Sequence, residues 1–377
     1  MNDKAEIAWL KQLTQWAFLT RAVLVLVLHW SGLSARLGPD EQTYAETGRD
    51  IALYWTHDLL VRPWRLSSPG PLSYFYLNGV SFLLFGSSLP LKVLNALIGA
   101  LTCRYAYLLA DALFGPSVAK RTARFVAFFP SLVLWAAINV RDIWVIFLIV
   151  YISWKSYQLL ATFTLTDLVR LVAAIALVNT FRPYLFFVVA LPPVAALLIG
   201  QRGHLARNLA AAMLAGVATV MLIEAGVAAR SSQMLDLETL ADKRRDLTFG
   251  AASSFEQDAD ISTPAKALAF LPTGLAYFWF SPFPWQITSL LKILSLPEVL
   301  LVYALTPSVV RGLAWILRHR LREAAQVLLL TALLTVSYAL ASGNVGTMFR
   351  HRAQAMIFYL MFASVGIEER QRRRARA

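Results

Sequence analysis

Long apolar runs broken by short charged stretches set the pattern of this chain. A helix needs about 20 mostly apolar residues to cross a hydrocarbon layer of ~30 Å. Runs of that kind begin near residues 13, 90, 125, 142, 168, 184, 209, 296, 323 and 352. The pattern predicts an all-α polytopic membrane protein with about ten transmembrane helices. The first run, residues 13–33, has no small-residue cleavage site after it and reads as a retained signal-anchor. Residues 71–85 are apolar but too short to span, which predicts an interfacial or re-entrant helix.

Charge orients these spans. With the N-terminus in the cytoplasm, basic breaks at Lys120, Arg121 and Arg124, at 155–170, at 202–207 and at Arg318, Arg320 and Arg322 all fall inside. The tail 367–377 falls there too, and reads as a basic anchor against anionic lipid. Counting 71–85 as a span would carry the Lys120 break outside, against the positive-inside rule. The whole chain, 1–377, thus reads as one transmembrane domain with two long outer loops, 34–89 and 230–295. The second loop holds the aromatic, proline-rich stretch 270–285, suited to the headgroup layer.

Composition agrees. Hydrophobic residues make up 58% of 377 and charged residues 15%, too little polar surface to coat a water-soluble globule of this size. The 35 Lys and Arg exceed the 22 Asp and Glu by 13, but they sit between apolar runs, so their partners are lipid headgroups and not nucleic acid. Cys103 is the single cysteine and matches no zinc spacing. Phosphate-cradling GxxxxGK[ST] and GxGxxG motifs and the zinc-protease HExxH are absent from the sequence. An ATP-driven pump is thereby excluded.

Candidate chemistry gathers on the outer side. Gly38-Pro39-Asp40-Glu41-Gln42-Thr43-Tyr44 puts two adjacent carboxylates directly after the first span. A carboxylate near apolar walls, kept ionised by a nearby cation, can act as a general base; the same residues also make a helix N-cap. Asn139-Val140-Arg141-Asp142 lies between two spans, where an Arg-Asp pair should face the protein interior, whether as chemistry or as a pin between helix ends. Outer arginines at Arg182-Pro183 and Arg350-His351-Arg352 run against the inside bias and suit the oxygens of a phosphate, or lipid headgroups. His29 and His57 have no partner at ligand spacing and read as structural.

In order and sidedness these pieces resemble the C-type (GT-C) membrane glycosyltransferases, relatives of protein mannosyltransferases and lipid A aminoarabinose transferases. The resemblance runs through Asp40-Glu41, Phe129-Pro130-Ser131-Leu132-Val133-Leu134-Trp135, Phe181-Arg182-Pro183-Tyr184, Ser281-Pro282-Phe283-Pro284-Trp285 and Gly343-Asn344-Val345-Gly346. It implies transfer of a sugar from a polyprenyl-phosphate carrier to an acceptor on the outer, periplasmic face of a bacterial inner membrane, in envelope glycan, glycolipid or glycoprotein synthesis. Carried over by position, Asp40 is the catalytic base, Glu41 its neighbour and Asp142 the second-loop acid. Tyr44, Arg62, Arg65, Arg141, Arg182, Arg350 and Arg352 then bind the substrate. Where relatives carry Lys or His before a proline, this chain reads Ser67-Ser68-Pro69-Gly70-Pro71, so Arg62 and Arg65 stand nearest that role. No soluble domain follows the last span, so outer loops would recognise the acceptor. No cofactor is required; adjoining acids leave room for a divalent cation but fall short of the oxygen ligands that hard cations take. A transporter or flippase for a lipid-linked glycan, or a non-catalytic envelope scaffold, are the competing classes.

Overall fold

The computed structural model describes residues 3–38, 40–57, 72–199, 236–249, 253–287 and 290–376. They form α1 (Asp3–Trp30), α2 (Ser34–Leu37), α3 (Asp40–His57), α4 (Leu72–Phe85), α5 (Leu89–Phe114), α6 (Pro116–Phe128), α7 (Pro130–Leu134), α8 (Asp142–Ala161), α9 (Leu165–Phe181) and α10 (Phe186–Ile199). Then follow α11 (Leu237–Thr248), α12 (Pro264–Phe280), α13 (Leu290–His319), α14 (Leu321–Ala341) and α15 (Val345–Arg376). Beyond these there is one isolated bridge, Ser254 to Asn344, among the described residues.

Five described helices are long and apolar enough to cross a membrane: α1, α5, α8, α13 and α14. The expected span beginning near residue 209 lies outside the described residues, as do Arg62 and Arg65. The run 71–85 forms the short apolar helix α4, as its length requires. The expected span from residue 125 needs correction, because the chain there is two helices, α6 and α7, with Phe129 extended between them. Pro130 is the cause: a residue before proline avoids the helical region, and the proline ring cannot accept the continuing helix. Two carbonyls freed by that break are taken by Arg21 of α1, which donates from Nη1 to Ala127 O at 2.7 Å and from Nη2 to Val126 O at 3.1 Å. Both terminal nitrogens of a fully buried arginine are thereby placed on backbone oxygen.

The last helix begins at Val345, seven residues before the position read from sequence, because Arg350 and Arg352 are inside it and not ahead of it. Its segment 352–358 is buried on every face, Arg352 and Gln354 included. Neighbours α13, α6, α14 and α12 pack around it. Its crossing with α13 depends on two glycines. A Cβ on Gly312 would sit 1.9 Å from Phe362 O, and one on Gly366 would sit 1.9 Å from Ser308 O. Small residues at such crossings let backbones approach. Gly312→Val is expected to destabilise the fold by at least ~1–3 kcal/mol through overpacking, read as a lowered thermal transition of the purified chain; Gly366→Val should add little beyond it, since both break one contact.

Candidate active site

Two helix starts bring the acids to one end of the bundle. Asp40 is the first residue of α3 and Asp142 the first of α8, each in the turn where exposed N–H groups favour a carboxylate. The segment leading into α8 is fixed by buried amides. Tyr74 donates its hydroxyl to Asn139 Oδ1 at 2.8 Å, Asn95 donates Nδ2 to Ile138 O at 2.9 Å, Asn139 donates Nδ2 to Asn78 Oδ1 at 2.7 Å, and Trp144 donates Nε1 to Asn95 Oδ1 at 2.7 Å. A satisfied buried network of this kind holds one geometry.

Arginines then connect the acids. Arg350 donates Nε to Asp142 Oδ2 at 2.6 Å and Nη1 to Asp40 Oδ2 at 2.5 Å, so one guanidinium bridges both carboxylates. Arg182 donates Nη2 to Asp142 Oδ1 and Nη1 to the Tyr184 hydroxyl. Burial opposes the Arg182 charge, but the Asp142 carboxylate outweighs it and raises the guanidinium pKa above its ordinary value. Arg141 donates Nη1 to Phe181 O at 2.7 Å, and the Nε atoms of Arg141 and Arg182 are buried with no protein acceptor. Asp40 is half exposed and Asp142 fully buried, so two acids alike in sequence face different surroundings.

These groups form the polar end of a cavity of about 450 Å³. Asp40, Arg141, Arg182, Tyr184, Arg350 and His351 line that end, and its apolar wall comes from Phe187 and Val188 of α10, Leu240 and Leu247 of α11, and Val336 and Leu340 of α14. Lys243 enters from the α11 side. Residues 240, 243 and 247 share one helical face, so Lys243 lines the cavity between two leucines; burial pulls its pKa down. On the neighbouring face Arg244 fastens α11 to the bundle. It donates Nη1 to Ser342 O at 2.6 Å and Nη2 to Glu256 O at 3.1 Å, and its guanidinium lies 4.3 Å from the Phe270 ring centroid. Burial pushes its pKa down to about 10.

Several sequence candidates sit elsewhere. Glu41 is turned from the cavity: its Oε1 accepts from Lys92 and from Ser34 Oγ at 2.9 Å, and its Oε2 from Asn139 N at 3.1 Å. It is therefore a strut between α3, α5 and the segment before α8, because successive helical residues point about 100° apart. Tyr44 is buried edge-on against Tyr74, 4.9 Å between ring centroids. Arg352 pairs with Glu298 at 3.4 Å and donates to Ser281 O at 2.8 Å, away from the cavity. Sequence reading named neither His351, whose Nε2 lies 3.4 Å from the Tyr184 hydroxyl and Nδ1 3.3 Å from Ser342 Oγ, nor Lys243 as site residues. His351 adjoins two flagged arginines, which was the available signal.

No protein-family model matches the sequence, and no curated protein matches it either. Solved structures do resemble it. The oligosaccharyltransferase of Archaeoglobus fulgidus in its apo form superposes with a TM-score of 0.57 at 15% identity, covering 97% of this chain and 51% of that one. The archaeal enzyme in complex with an inhibitory peptide and a dolichol-phosphate gives 0.53 at 14% identity, covering 96% and 51%. The same oligosaccharyltransferase tethered to an acceptor peptide gives 0.57 at 16%, covering 96% and 49%. The chain spans about half the length of those proteins, and over that half it shares their fold. Five of its described helices are long and apolar enough to cross a membrane, as a multi-pass membrane protein requires.

Proposed function

We propose that the chain is an integral membrane glycosyltransferase that moves a sugar, hexose or pentose, from a polyprenyl-phosphate carrier to an acceptor at the outer face of a bacterial inner membrane, with both termini cytoplasmic. The observation that carries this reading is the cavity, which joins a half-exposed carboxylate and a set of cations to an apolar wall. A lipid-linked sugar has the matching parts: a phosphodiester for the cations, an isoprenoid for the wall, and an anomeric carbon between them. An archaeal structure with this fold holds a dolichol-phosphate, which supports a carrier of that class. Another holds an acceptor peptide, which makes a peptide one acceptor class to try.

Chemically, Asp40 takes the proton from the acceptor nucleophile as that atom bonds to the anomeric carbon. The carbon–oxygen bond to phosphate breaks, and its electron pair leaves on the polyprenyl phosphate. Arg141, Arg182 and Lys243 hold the phosphate and meet the charge that grows on it. Arg350 keeps Asp40 aligned, with Oδ2 engaged and the second carboxylate oxygen left to take the proton. Asp142 sets Arg182 and Arg350 in place and does not reach the cavity surface.

Incubating the purified chain in vesicles with a radiolabelled sugar-phosphopolyprenol tests the reading. Donor is expected to be consumed with release of polyprenyl phosphate, and a bulky residue in the apolar wall, Val336→Trp, should raise the donor KM about tenfold or more while leaving kcat within about twofold, because it removes ground-state and transition-state binding alike. Failure to consume any sugar-phosphopolyprenol, across hexose and pentose donors and with lipid and peptide acceptors, would remove the proposal. A Val336→Trp chain with an unchanged donor KM would remove the isoprenoid from this wall.

A further inference from the structure

Two acids at helix starts, Asp40 of α3 and Asp142 of α8, invite a divalent cation between them. The residues present do not fit one. Asp142 Oδ1 accepts from Arg182, and Asp142 Oδ2 accepts from Arg350 Nε at 2.6 Å. Asp40 Oδ2 accepts from Arg350 Nη1 at 2.5 Å. The next acid, Glu41, has both oxygens committed to Lys92, Ser34 and the Asn139 amide. Among the described residues no three His, Cys, Asp or Glu side chains are grouped as a metal would need. A small hard cation asks for near-octahedral oxygen and a larger one for six to eight oxygens, whereas here a planar cation already fills the gap between the two carboxylates.

Resting on the glycosyltransferase reading above, we infer that Arg350 stands where a divalent cation would bind between Asp40 and Asp142, and that sugar transfer by this chain proceeds without a metal. The guanidinium supplies two of the services a metal would give. It draws the carboxylates of α3 and α8 to one centre, and it opposes their two negative charges across the gap. It cannot polarise the departing phosphate as a Lewis acid, and Arg141 and Arg182, which line the cavity, are suited to that charge instead. Arg350 is well placed to stay. Its guanidinium lies 5.9 Å from the Trp135 ring centroid, and its Nη2 is 2.5 Å from Asp142 Oδ2. The assignment also moves Arg350 from the substrate-binding set to the bridge between the acids.

The test strips the full-length purified chain with a chelator and titrates it with Mn2+, reading bound metal by electron paramagnetic resonance, beside donor turnover in the presence and absence of EDTA. Wild type is expected to bind no Mn2+ that Asp142→Asn abolishes, and to turn over donor equally with and without EDTA. Arg350→Ala opens the carboxylate pair and is expected to gain one Mn2+ site, lost again in Arg350→Ala/Asp142→Asn. Arg350→Gln repeats the comparison with a side chain nearer in size, should the alanine variant fail to fold. A wild-type Mn2+ site that Asp142→Asn removes, or turnover that EDTA abolishes and Mn2+ restores, overturns the inference. So does a folded Arg350→Gln chain with no site, since the acids would then be no place for a cation at all. If no donor is consumed under either condition, the fault lies with the transferase reading, and the Mn2+ titration still decides whether Arg350 excludes metal.

Discussion

Asp40→Asn is expected to lower the rate of sugar transfer by about 10²–10⁴-fold, the range for loss of a positioned general base. Asparagine keeps the shape of the side chain and an acceptor oxygen for Arg350 Nη1, so the bridge to Asp142 is retained in weaker form. What it lacks is a lone pair basic enough to take the acceptor proton. The donor phosphate is assigned to Arg141, Arg182 and Lys243, none of which pairs with Asp40 in the geometry above, so the donor KM should move by no more than about twofold while kcat carries the loss. Steady-state kinetics on the purified chain, with donor and acceptor varied in turn, check the split. Asp40 is half exposed, and its thermal transition should stay close to that of wild type. A variant with full kcat would return Asp40 to the role of a residue that begins a helix. A variant with unchanged kcat and a much raised donor KM would make it a substrate contact instead.

How far the sequence reaches is clearest at α3. The Asp40-Glu41 pair was visible as chemistry because it follows an apolar span directly, but sequence could not say which of two adjacent acids faces the cavity. That depends on the rotation of α3, and the rotation depends on Lys92, a cation within α5 that pulls Glu41 inward. A similar limit applies to the arginines. Arg350 and Arg352 read as equivalent in a row of charges, yet two residues along a helix turn a side chain by about 200°, so one meets Asp142 and the other meets Glu298. The break between α6 and α7 was written in Pro130 and passed over because the apolar run continues across it. Lys243 had no local signal: its importance comes from α11 being fastened to the C-terminal end of α14 by Arg244. Periodicity thus reports the helices, and charge placement reports which end holds the charged cavity, whereas the choice among neighbouring charged residues is made by long-range pairing.

That pairing leads to the largest effect expected on the fold. Asp142→Asn should destabilise the chain by ~3–5 kcal/mol, because it leaves Arg182 buried without its counter-charge, while Arg350 keeps Asp40. The side chain of Asp142 is fully buried and that of Arg182 nearly so, which distinguishes this pair from a surface bridge worth little. Thermal or denaturant unfolding of the purified chain should show the loss. Removing the opposing charges together should hurt less than removing the acid alone, since an unpaired buried cation costs more than an absent one. Asp142→Asn/Arg182→Gln is therefore expected to recover part of the stability lost in Asp142→Asn while staying inactive, because Arg182 is assigned to the donor phosphate. The double-mutant cycle isolates the coupling. Recovery of stability without recovery of transfer would separate the structural work of the Arg182–Asp142 pair from the binding work of Arg182. A double variant less stable than Asp142→Asn would mean that Arg182 supports the fold through Tyr184 more than through Asp142, and that the acid is not the centre that holds this end of the bundle together.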